Sequence, residues 1–301
     1  MTIRNCFTAS LLFCLLTAVV AAQGTPGGRT PILTGFVPVP EQKLQEGYVR
    51  VFDNISTFGW GENATIGTDG KLHFTGKIAD TPFFYLGFDD IPSSVVPTTS
   101  FVVSAEDMVK PSGTMIPIFD GETLNGWTIR YRDPEDIRVA VVVENGTIKL
   151  TGGPGSLESV GKYGDFILQL EYRTDRRVNS GVFFRSIPGE VMNGYECQIF
   201  NVPGDRDYES FIGTDTGGIF RRQVGRNVGP QDGEWNYLTI VARGPRMSTW
   251  VNGIQVTDWT DEREPHANPR NGLRLEAGTI QFQGHDRGTE IWFRNIRILE
   301  L

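Results

Sequence analysis

The sequence has few cysteines, and most of them lie at its N-terminus. Three of the 301 residues are cysteine, and Cys6 and Cys14 fall in the first segment, which leaves Cys197 alone in the rest of the chain. One cysteine cannot form an internal disulfide. We therefore expect core packing alone to hold the fold, and a chain of this size buries about three-quarters of its extended surface on folding.

Long apolar runs are also lacking beyond the first residues. Arg4 provides a positive start, residues 11–20 are apolar, and Ala21-Ala22 before Gln23 fits a small-residue cleavage site. The run is too short for a membrane span, and no second stretch of about 20 apolar residues follows. Residues 1–22 therefore predict a signal peptide and an exported protein, periplasmic or extracellular.

Basic charge is scarce. The chain carries 28 lysines and arginines against 36 acidic residues, a net charge of -8, and has no run of five basic residues. This balance disfavours nucleic acid and anionic lipid as partners. A neutral sugar is compatible with such a surface, although the charge alone does not select one.

Several catalytic signatures are missing. The sequence contains no G-x-S-x-G, no H-E-x-x-H, no P-loop and no paired-cysteine metal motif. The E-x-D-x-x-E strand of some jelly-roll glycoside hydrolases is absent too. Glycoside hydrolysis by that pattern is disfavoured, whereas two carboxylates supplied by separate strands remain open.

Short alternating apolar runs and glycine turns are what the sequence does contain, with 36 glycines and 17 prolines. This pattern predicts an all-β fold, an antiparallel two-sheet jelly-roll sandwich of about twelve strands from residue 115 onward. Asn252-Gly253 predicts a type I′ hairpin turn. The predicted strands include Phe166–Tyr172, Ser180–Ser186, Tyr195–Phe200, Trp235–Arg243, Ser248–Val251, Gly253–Trp259, Asn271–Gln283 and Glu290–Ile298.

The N-terminal third contains a partial internal repeat. Val51-Phe52-Asp53 with Gly59-Trp60 matches Ile118-Phe119-Asp120 with Gly126-Trp127, and a glycine-turn hairpin follows each copy. The first copy holds only opening strands, too few for an independent sandwich. We therefore divide the chain into a flexible leader (23–45), a small β appendage or degenerate half-domain (46–105) and a main domain (115–301).

Polar side chains at strand parity provide the candidate site. Glu196 and Gln198 share one strand face, Gln281, Gln283 and His285 share another, and Arg185 ends a third alternating run. The plain alternative is the solvated face of an antiparallel sheet. Long, hydrogen-bond-rich side chains on three strands favour a site for hydroxyl groups instead.

Other conspicuous residues have structural interpretations. His73 and His266 lie beside a hairpin and in a proline-rich loop, and we expect both on the surface. Trp127 and Trp235 are more typical of core anchors than of sugar platforms. Nothing near Cys197 would lower its pKa, so we expect a buried, inert thiol.

A series of motifs carries a family resemblance across residues 115–301. In order these are Ile118-Phe119-Asp120-Gly121 with Gly126-Trp127, Tyr163-Gly164-Asp165-Phe166 to Tyr172, Asn179-Ser180-Gly181-Val182-Phe183-Phe184-Arg185, Gly194-Tyr195-Glu196-Cys197-Gln198-Ile199, Gly233-Glu234-Trp235-Asn236, Trp250-Val251-Asn252-Gly253, Ile280-Gln281-Phe282-Gln283-Gly284-His285-Asp286 and Ile291-Trp292-Phe293-Arg294-Asn295-Ile296. Together they resemble the 3-keto-disaccharide hydrolase family. The acidic residue that often follows the Glu196 motif is Asn201 or the later Asp205 here, which puts its role in doubt.

The resemblance implies a concanavalin A-like fold and activity on glycosides already oxidised at C3. The C1 substituent would leave by elimination, or the resulting glucal would be hydrated. Some family members use a divalent metal, with His285 and Glu196 as candidate ligands here.

Roles for the candidate residues follow from this chemistry. His285 would act as base or metal ligand, Glu196 as acid-base group or ligand, and Arg185 as enolate stabiliser. Gln198, Gln283, Gln281 and Asp286 would bind substrate.

Two alternatives are not enzymes: a lectin-like binding module, which binds sugar without turnover, and a structural adhesion domain. The enzyme hypothesis expects Arg185, Glu196 and His285 to converge in one pocket. Side chains on different faces would count against it.

Overall fold

The computed structural model describes residues 31–76, 81–89, 100–135, 138–174, 178–201 and 215–301. The predicted signal peptide lies outside these ranges and stays a prediction. Within them, no helix has the length and apolar character of a membrane span.

The described residues form two short helices and nineteen strands. The described part of the chain before the main domain, called the appendage from here on, holds α1 (Glu41–Gln45), β1 (Val49–Arg50), β2 (Ala64–Ile66), β3 (Leu72–Thr75), α2 (Pro82–Tyr85), β4 (Phe88–Asp89), β5 (Ser100–Val103) and β6 (Met108–Pro111). The main domain holds β7 (Ile116–Pro117), β8 (Trp127–Tyr131), β9 (Ala140–Glu144), β10 (Thr147–Thr151), β11 (Gly155–Tyr163), β12 (Phe166–Thr174), β13 (Asn179–Ser186), β14 (Tyr195–Phe200), β15 (Asn236–Arg243), β16 (Arg246–Val251), β17 (Ile254–Thr260), β18 (Gly278–Gly284) and β19 (Glu290–Glu300).

The main domain is an antiparallel sandwich, which confirms the predicted all-β class. An eight-stranded sheet has the order β17-β16-β15-β12-β19-β10-β9, with β7 paired to β19. A five-stranded sheet has the order β14-β13-β18-β11-β8. Alternate apolar residues of both sheets point inward and form one core, as strand parity requires.

Stacked aromatic rings connect the two sheets through this core. Phe282 of β18 lies 5.1 Å from the ring of Trp127 and 4.2 Å from that of Phe293, centroid to centroid. Phe293 belongs to β19 in the opposite sheet, so the three rings span the sandwich. Trp127 is 7 % exposed, and its position is that of a core anchor.

The appendage forms two three-stranded sheets, β1-β6-β4 and β2-β3-β5. Its own aromatic residues pack against Ile167, Val241 and Trp250, which project from the outer face of the eight-stranded sheet. The Trp250 ring lies 5.4 Å from that of Phe88. The appendage core is therefore completed by the main domain, and β12 is buried on both faces.

The two copies of the sequence repeat adopt the same local structure. Trp60 Nε1 donates to the Val51 carbonyl at 2.9 Å, and Trp127 Nε1 donates to the Ile118 carbonyl at 2.8 Å. In both copies the aspartate that follows phenylalanine accepts hydrogen bonds from two backbone N–H groups and one hydroxyl. Asp53 accepts from the N–H groups of Ile55 and Ser56 and from the Ser56 hydroxyl. Asp120 accepts from the N–H groups of Glu122 and Thr123 and from the Thr123 hydroxyl. The repeated sequence therefore forms the same hydrogen-bonded loop in both copies.

Three sequence expectations meet different outcomes here. Asn252 and Gly253 have φ of 50° and 76°, which confirms the hairpin turn. The strand expected over Asn271–Gln283 begins only at Gly278. The residues before it turn back toward an earlier loop, where the Leu273 N–H donates to the Glu264 carbonyl. Of the leader expected to be flexible, residues 31–45 are described, and there Val39 packs into the main core.

Candidate functional site

The candidate site lies on the outer face of the five-stranded sheet. In the β13–β14 register Gly181 faces Gln198 and Phe183 faces Glu196, and Phe183 also faces Gln281 on β18. Directly opposed residues of antiparallel strands project to the same side. Glu196, Gln198, Gln281 and Gln283 therefore share this face, while Cys197 points into the core as expected.

The face is not solvated. Gln198 and Gln281 are fully buried, and Glu196 and Gln283 are each 2 % exposed. Two loops cover them, one through Met192 and one through Arg270, whose Nε donates to the Met192 carbonyl at 3.1 Å. The interpretation as an ordinary solvated sheet face is therefore wrong.

Glu196 is the most unusual group of this buried set. Its Oε2 accepts from Arg270 Nη2 at 2.9 Å, whereas Oε1 has no hydrogen-bond partner among the described residues. Burial raises the pKa of this carboxyl, and the positive charges of Arg270 and His285 only partly oppose that rise. A buried carboxylate with one unengaged oxygen is suited to accept a proton from a bound molecule.

Two glutamine amides beside Glu196 also carry unpaired atoms, although Gln283 Nε2 donates to the Met192 sulfur at 3.5 Å. Within the described ranges neither polar atom of Gln198 is hydrogen-bonded, and Gln283 Oε1 is likewise unpaired. A Cβ at Gly181 would stand 2.9 Å from Glu196 Oε1, so glycine keeps the space next to that oxygen open. Unpaired buried polar groups are costly, which favours a polar ligand as their partner.

Gln281 differs from the other glutamines because both of its polar atoms are engaged. Its Oε1 accepts from Met192 N–H at 3.1 Å and from Ser156 Oγ at 3.2 Å, and its Nε2 donates to the Glu190 carbonyl at 2.9 Å and to Glu158 Oε1 at 3.2 Å. The expected role of Gln281 in substrate binding is therefore replaced by a positioning role for the loop over the site.

Glu158 was missed in the sequence, although it shares a face of β11 with Ser156 and alternates with the core residue Leu157, in the same way as the other candidates. It is 2 % exposed and accepts from Gly189 N–H at 2.9 Å and from Thr279 Oγ1 at 2.8 Å. Burial acts to raise its pKa, but these bonds and Arg130 outweigh that effect and lower it. Two carboxyls with opposite pKa shifts thus occupy one face, and Glu158 is the one held ionised.

His285 follows β18 at the rim of the face. Its Nδ1 lies 2.9 Å from Asp286 Oδ2, and its side chain is 28 % exposed. A carboxylate at Nδ1 favours a proton there and makes Nε2 the basic nitrogen. Asp286 Oδ1 accepts from Gly288 N–H at 2.7 Å, so this carboxylate orients the imidazole rather than facing the glutamines.

Arg185 does not join the site, and the expectation that it stabilises an enolate is wrong. The β13–β18 register shifts between Phe183 and Ser186, and Arg185 has φ of 47°. Its guanidinium is fully buried and donates to the carbonyls of Gly164, Gly244 and Arg274 and to Asp165 Oδ1, at 2.8–3.2 Å. A bulge re-aims side chains in this way. The three residues expected to converge therefore do not.

Arg270 supplies the cation instead, and sequence reasoning missed it. Its guanidinium carbon lies 5.0 Å from the Phe183 ring centroid and 5.6 Å from that of Phe220. Arg270 lies 74 residues from Glu196 in the sequence, on a loop in which polar and apolar residues do not alternate. No local pattern marked it.

The described residues do not complete a metal site. Among them, no group of three or more His, Cys, Asp and Glu side chains could hold a metal ion. Glu196 and His285 amount to two donors, fewer than the three or four protein ligands of zinc sites.

Comparisons with known proteins agree with this architecture. Residues 114–299 match the family described as 3-keto-alpha-glucoside-1,2-lyase-like domain. A Bacteroides thetaiotaomicron protein named 3-keto-disaccharide hydrolase is 26% identical over 235 residues, 61% of this chain and 77% of that protein.

A solved structure from Parabacteroides distasonis, assigned to the glycosyl hydrolases, superposes with a TM-score of 0.51 at 21% identity, covering 62% of this chain and 94% of that one. This likeness supports the fold. Because the family match spans well over half of the sequence, the chain belongs to the family of 3-keto-alpha-glucoside-1,2-lyase-like domains.

Proposed function

We propose that this protein is a carbohydrate-active enzyme that cleaves 3-keto-glycosides, by removal of the C2 proton and loss of the C1 substituent. Its family and the name of its Bacteroides relative support the substrate class. The observation that carries the mechanism is the unpaired Oε1 of the buried Glu196, whose pKa is raised. A carboxyl tuned upward is the kind of base that works near neutral pH.

The reaction needs a base, stabilisation of an anion and an acid. A ketone at C3 acidifies the C2–H bond, and Glu196 Oε1 would take that proton to leave an enolate. The electron pair then forms the C1–C2 double bond as the C1–O bond breaks, and the leaving oxygen takes a proton. Arg270 would stabilise the developing negative charge, and His285, protonated on both nitrogens, would supply the proton from Nε2.

The remaining buried polar groups would fix the sugar. Gln198 and Gln283 present unpaired amide atoms that match sugar hydroxyls. Gln281 and Glu158 would hold the Glu190–Met192 loop over the ring. In the hydratase direction, water would add to C1 of the glucal and the proton would return to C2.

Turnover of 3-keto-trehalose or a 3-keto-glucoside tests this proposal directly. We expect loss of the keto sugar and release of the C1 substituent, with slower turnover when C2 carries deuterium, since that bond breaks. A parallel reaction with chelator shows whether a divalent metal is required. Binding without any turnover would favour the lectin-like alternative. Turnover that retains the C2 deuterium in the product would indicate hydrolysis at C1 that leaves C2 intact.

The pH profile should depend on Arg270. Burial raises the pKa of Glu196 above its usual value of 4.5, so the acid limb of kcat/KM should lie above that pH. Arg270 stabilises the carboxylate. Replacing it with methionine should therefore raise the pKa further and move the limb about one to two pH units higher.

The exposed Arg132 provides the matched control, because R132M removes an equal charge without changing the Glu196–Arg270 pair. The two variants are compared by kcat/KM measured across pH. A limb that stays in place or moves to lower pH in R270M would contradict the assignment of Glu196 as the base.

A further inference from the structure

A concavity lies on the opposite side of the sandwich from Glu196. It opens between residues 44–48 and the outer face of the eight-stranded sheet and has a volume of about 580 Å³. Its walls come from the end of α1, Gly47 and Tyr48, from residues 117–121, and from the turns at Gly146 and Gly253. We refer to it as the appendage cleft. Its polar floor is formed by Gln169, Glu171, Tyr237, Thr239, Arg294 and Arg297.

A bulge in β19 shapes one end of this floor. The β12–β19 register shifts between Gln169 and Glu171, and Asn295 has φ of 50°. As a result, Arg294 and Asn295 both turn to the same carboxylate. Arg294 Nη2 and Nε lie 2.7 and 2.8 Å from Glu171 Oε2, and Asn295 Nδ2 lies 2.5 Å from Oε1. This end of the cleft is rigid and internally neutral.

The other end carries polar atoms without partners. Gln169 is 5 % exposed, and its amide donates to the Gly47 carbonyl at 2.8 Å, yet its Oε1 has no partner among the described residues. Arg297 Nε, on the residue opposite Gln169, is buried and unpaired within the same ranges. An unused acceptor and an unused donor thus lie side by side on neighbouring strands.

Tyr237 adds a third such group. Its hydroxyl is buried and makes no hydrogen bond of standard geometry to a described residue. The Gln45 side chain nevertheless lies close enough to affect the pKa of that hydroxyl. Natural proteins rarely leave three buried polar atoms unpaired at one place. Their clustering at a cavity is typical of a site that binds a molecule with hydroxyl groups.

Gly47 keeps these atoms accessible. Its φ is 89°, and a Cβ there would stand 2.5 Å from Gln169 Oε1 and 2.9 Å from Arg297 Nη2. Any side chain at this position would fill the space above the unpaired acceptor. Glycine satisfies both the left-handed backbone and the open volume.

The charges of the cleft select a neutral ligand. Its ionisable lining consists of two carboxylates, Asp120 and Glu171, and two guanidinium groups, Arg294 and Arg297. These balance, so neither an anion nor a cation gains from the site as a whole. Tyr48 forms part of the wall, and its ring is contacted by the ammonium groups of Lys43 and Lys110 at 4.6 and 5.6 Å from the centroid. The volume lies within the range of ordinary small-molecule pockets, about 300–1,000 Å³.

We propose that the appendage cleft is a second, non-catalytic binding site for a neutral oligosaccharide. It is built jointly by the appendage and the main domain, on the sheet that does not carry Glu196. The residues that line it are not those of the Glu196 site, so binding in the cleft does not depend on the proposed reaction.

Titration of the mature protein with trehalose and with maltose, followed by ligand-observed NMR, tests this proposal. Tyr237→Phe removes one hydroxyl and no bulk, and the loss of one neutral hydrogen bond should weaken binding about threefold to tenfold. Gln169→Leu should weaken it at least as much, and its melting temperature shows whether the fold is intact. Glu196→Gln should leave this binding unchanged, because that residue lies on the other sheet.

Absence of binding by either sugar would overturn the proposal. So would binding that Y237F and a folded Q169L both leave intact, since the sugar would then occupy a site other than the cleft. Turnover of 3-keto-glycosides should persist in Y237F, which separates a failure of this site from a failure of the proposed reaction.

Discussion

Replacement of Glu196 by glutamine should lower kcat on a 3-keto-glycoside by about 10²–10⁴-fold, the usual contribution of a positioned general base. The amide keeps the shape of the side chain and can still accept from Arg270, so KM should change little. It cannot take the C2 proton. Steady-state kinetics of the purified variant measure this result.

The same substitution should not destabilise the fold. The pKa of Glu196 is raised in the folded state, so folding favours its protonated form, and the stability linked to that proton is lost as pH rises through the folded-state pKa. A neutral amide removes this cost, and the melting temperature at neutral pH should be equal or higher. Glu122→Gln, at an exposed position, is the matched control for charge. An E196Q variant with turnover within tenfold of the parent would remove Glu196 from the mechanism.

Replacement of Arg185 by methionine should reduce the free energy of unfolding by about 3–5 kcal/mol, a typical cost of breaking a buried ion-paired network. Methionine fills part of the volume but leaves three backbone carbonyls without their donor. Asp165 is partly exposed and keeps access to water, so most of the loss comes from the carbonyls. Denaturant unfolding measures the change.

Arg132→Met removes the same charge from an exposed position and should change stability by less than about 0.5 kcal/mol. Turnover per folded molecule should be close to the parental value in both variants. An R185M protein of normal stability that has lost turnover would contradict the structural role and return Arg185 to the site.

Strand parity allowed half of the candidate site to be predicted. The bounds of β14 coincide with the predicted Tyr195–Phe200, and Glu196 and Gln198 share the outer face with Cys197 on the core side. Alternation is a local property of extended chain, so a sequence reports it directly. The resemblance across residues 115–301 was likewise sufficient to identify the family.

Bulges and loop contacts explain why the other half of the candidate site could not be predicted from the sequence. Strict alternation along β13 would place Arg185 on the same face as Phe183. An extra residue in β13 interrupts that alternation, and nothing in the sequence marks the interruption. Arg270 and Met192 reach the site from loops, where side-chain direction depends on tertiary contacts. The full engagement of Gln281 also depends on the loop that covers it, so sequence could not distinguish it from Gln283.

The completion of the appendage core by Ile167, Val241 and Trp250 bears on where this protein can be divided. Similarity to the family begins at residue 114, after the appendage ends. The boundary of the packed unit does not coincide with residue 114, because residues of β12, β15 and β16 are part of the appendage core. A segment cut at the family boundary would present a tryptophan and two aliphatic side chains to water, so the unit of homology in this chain is smaller than the unit of cooperative folding.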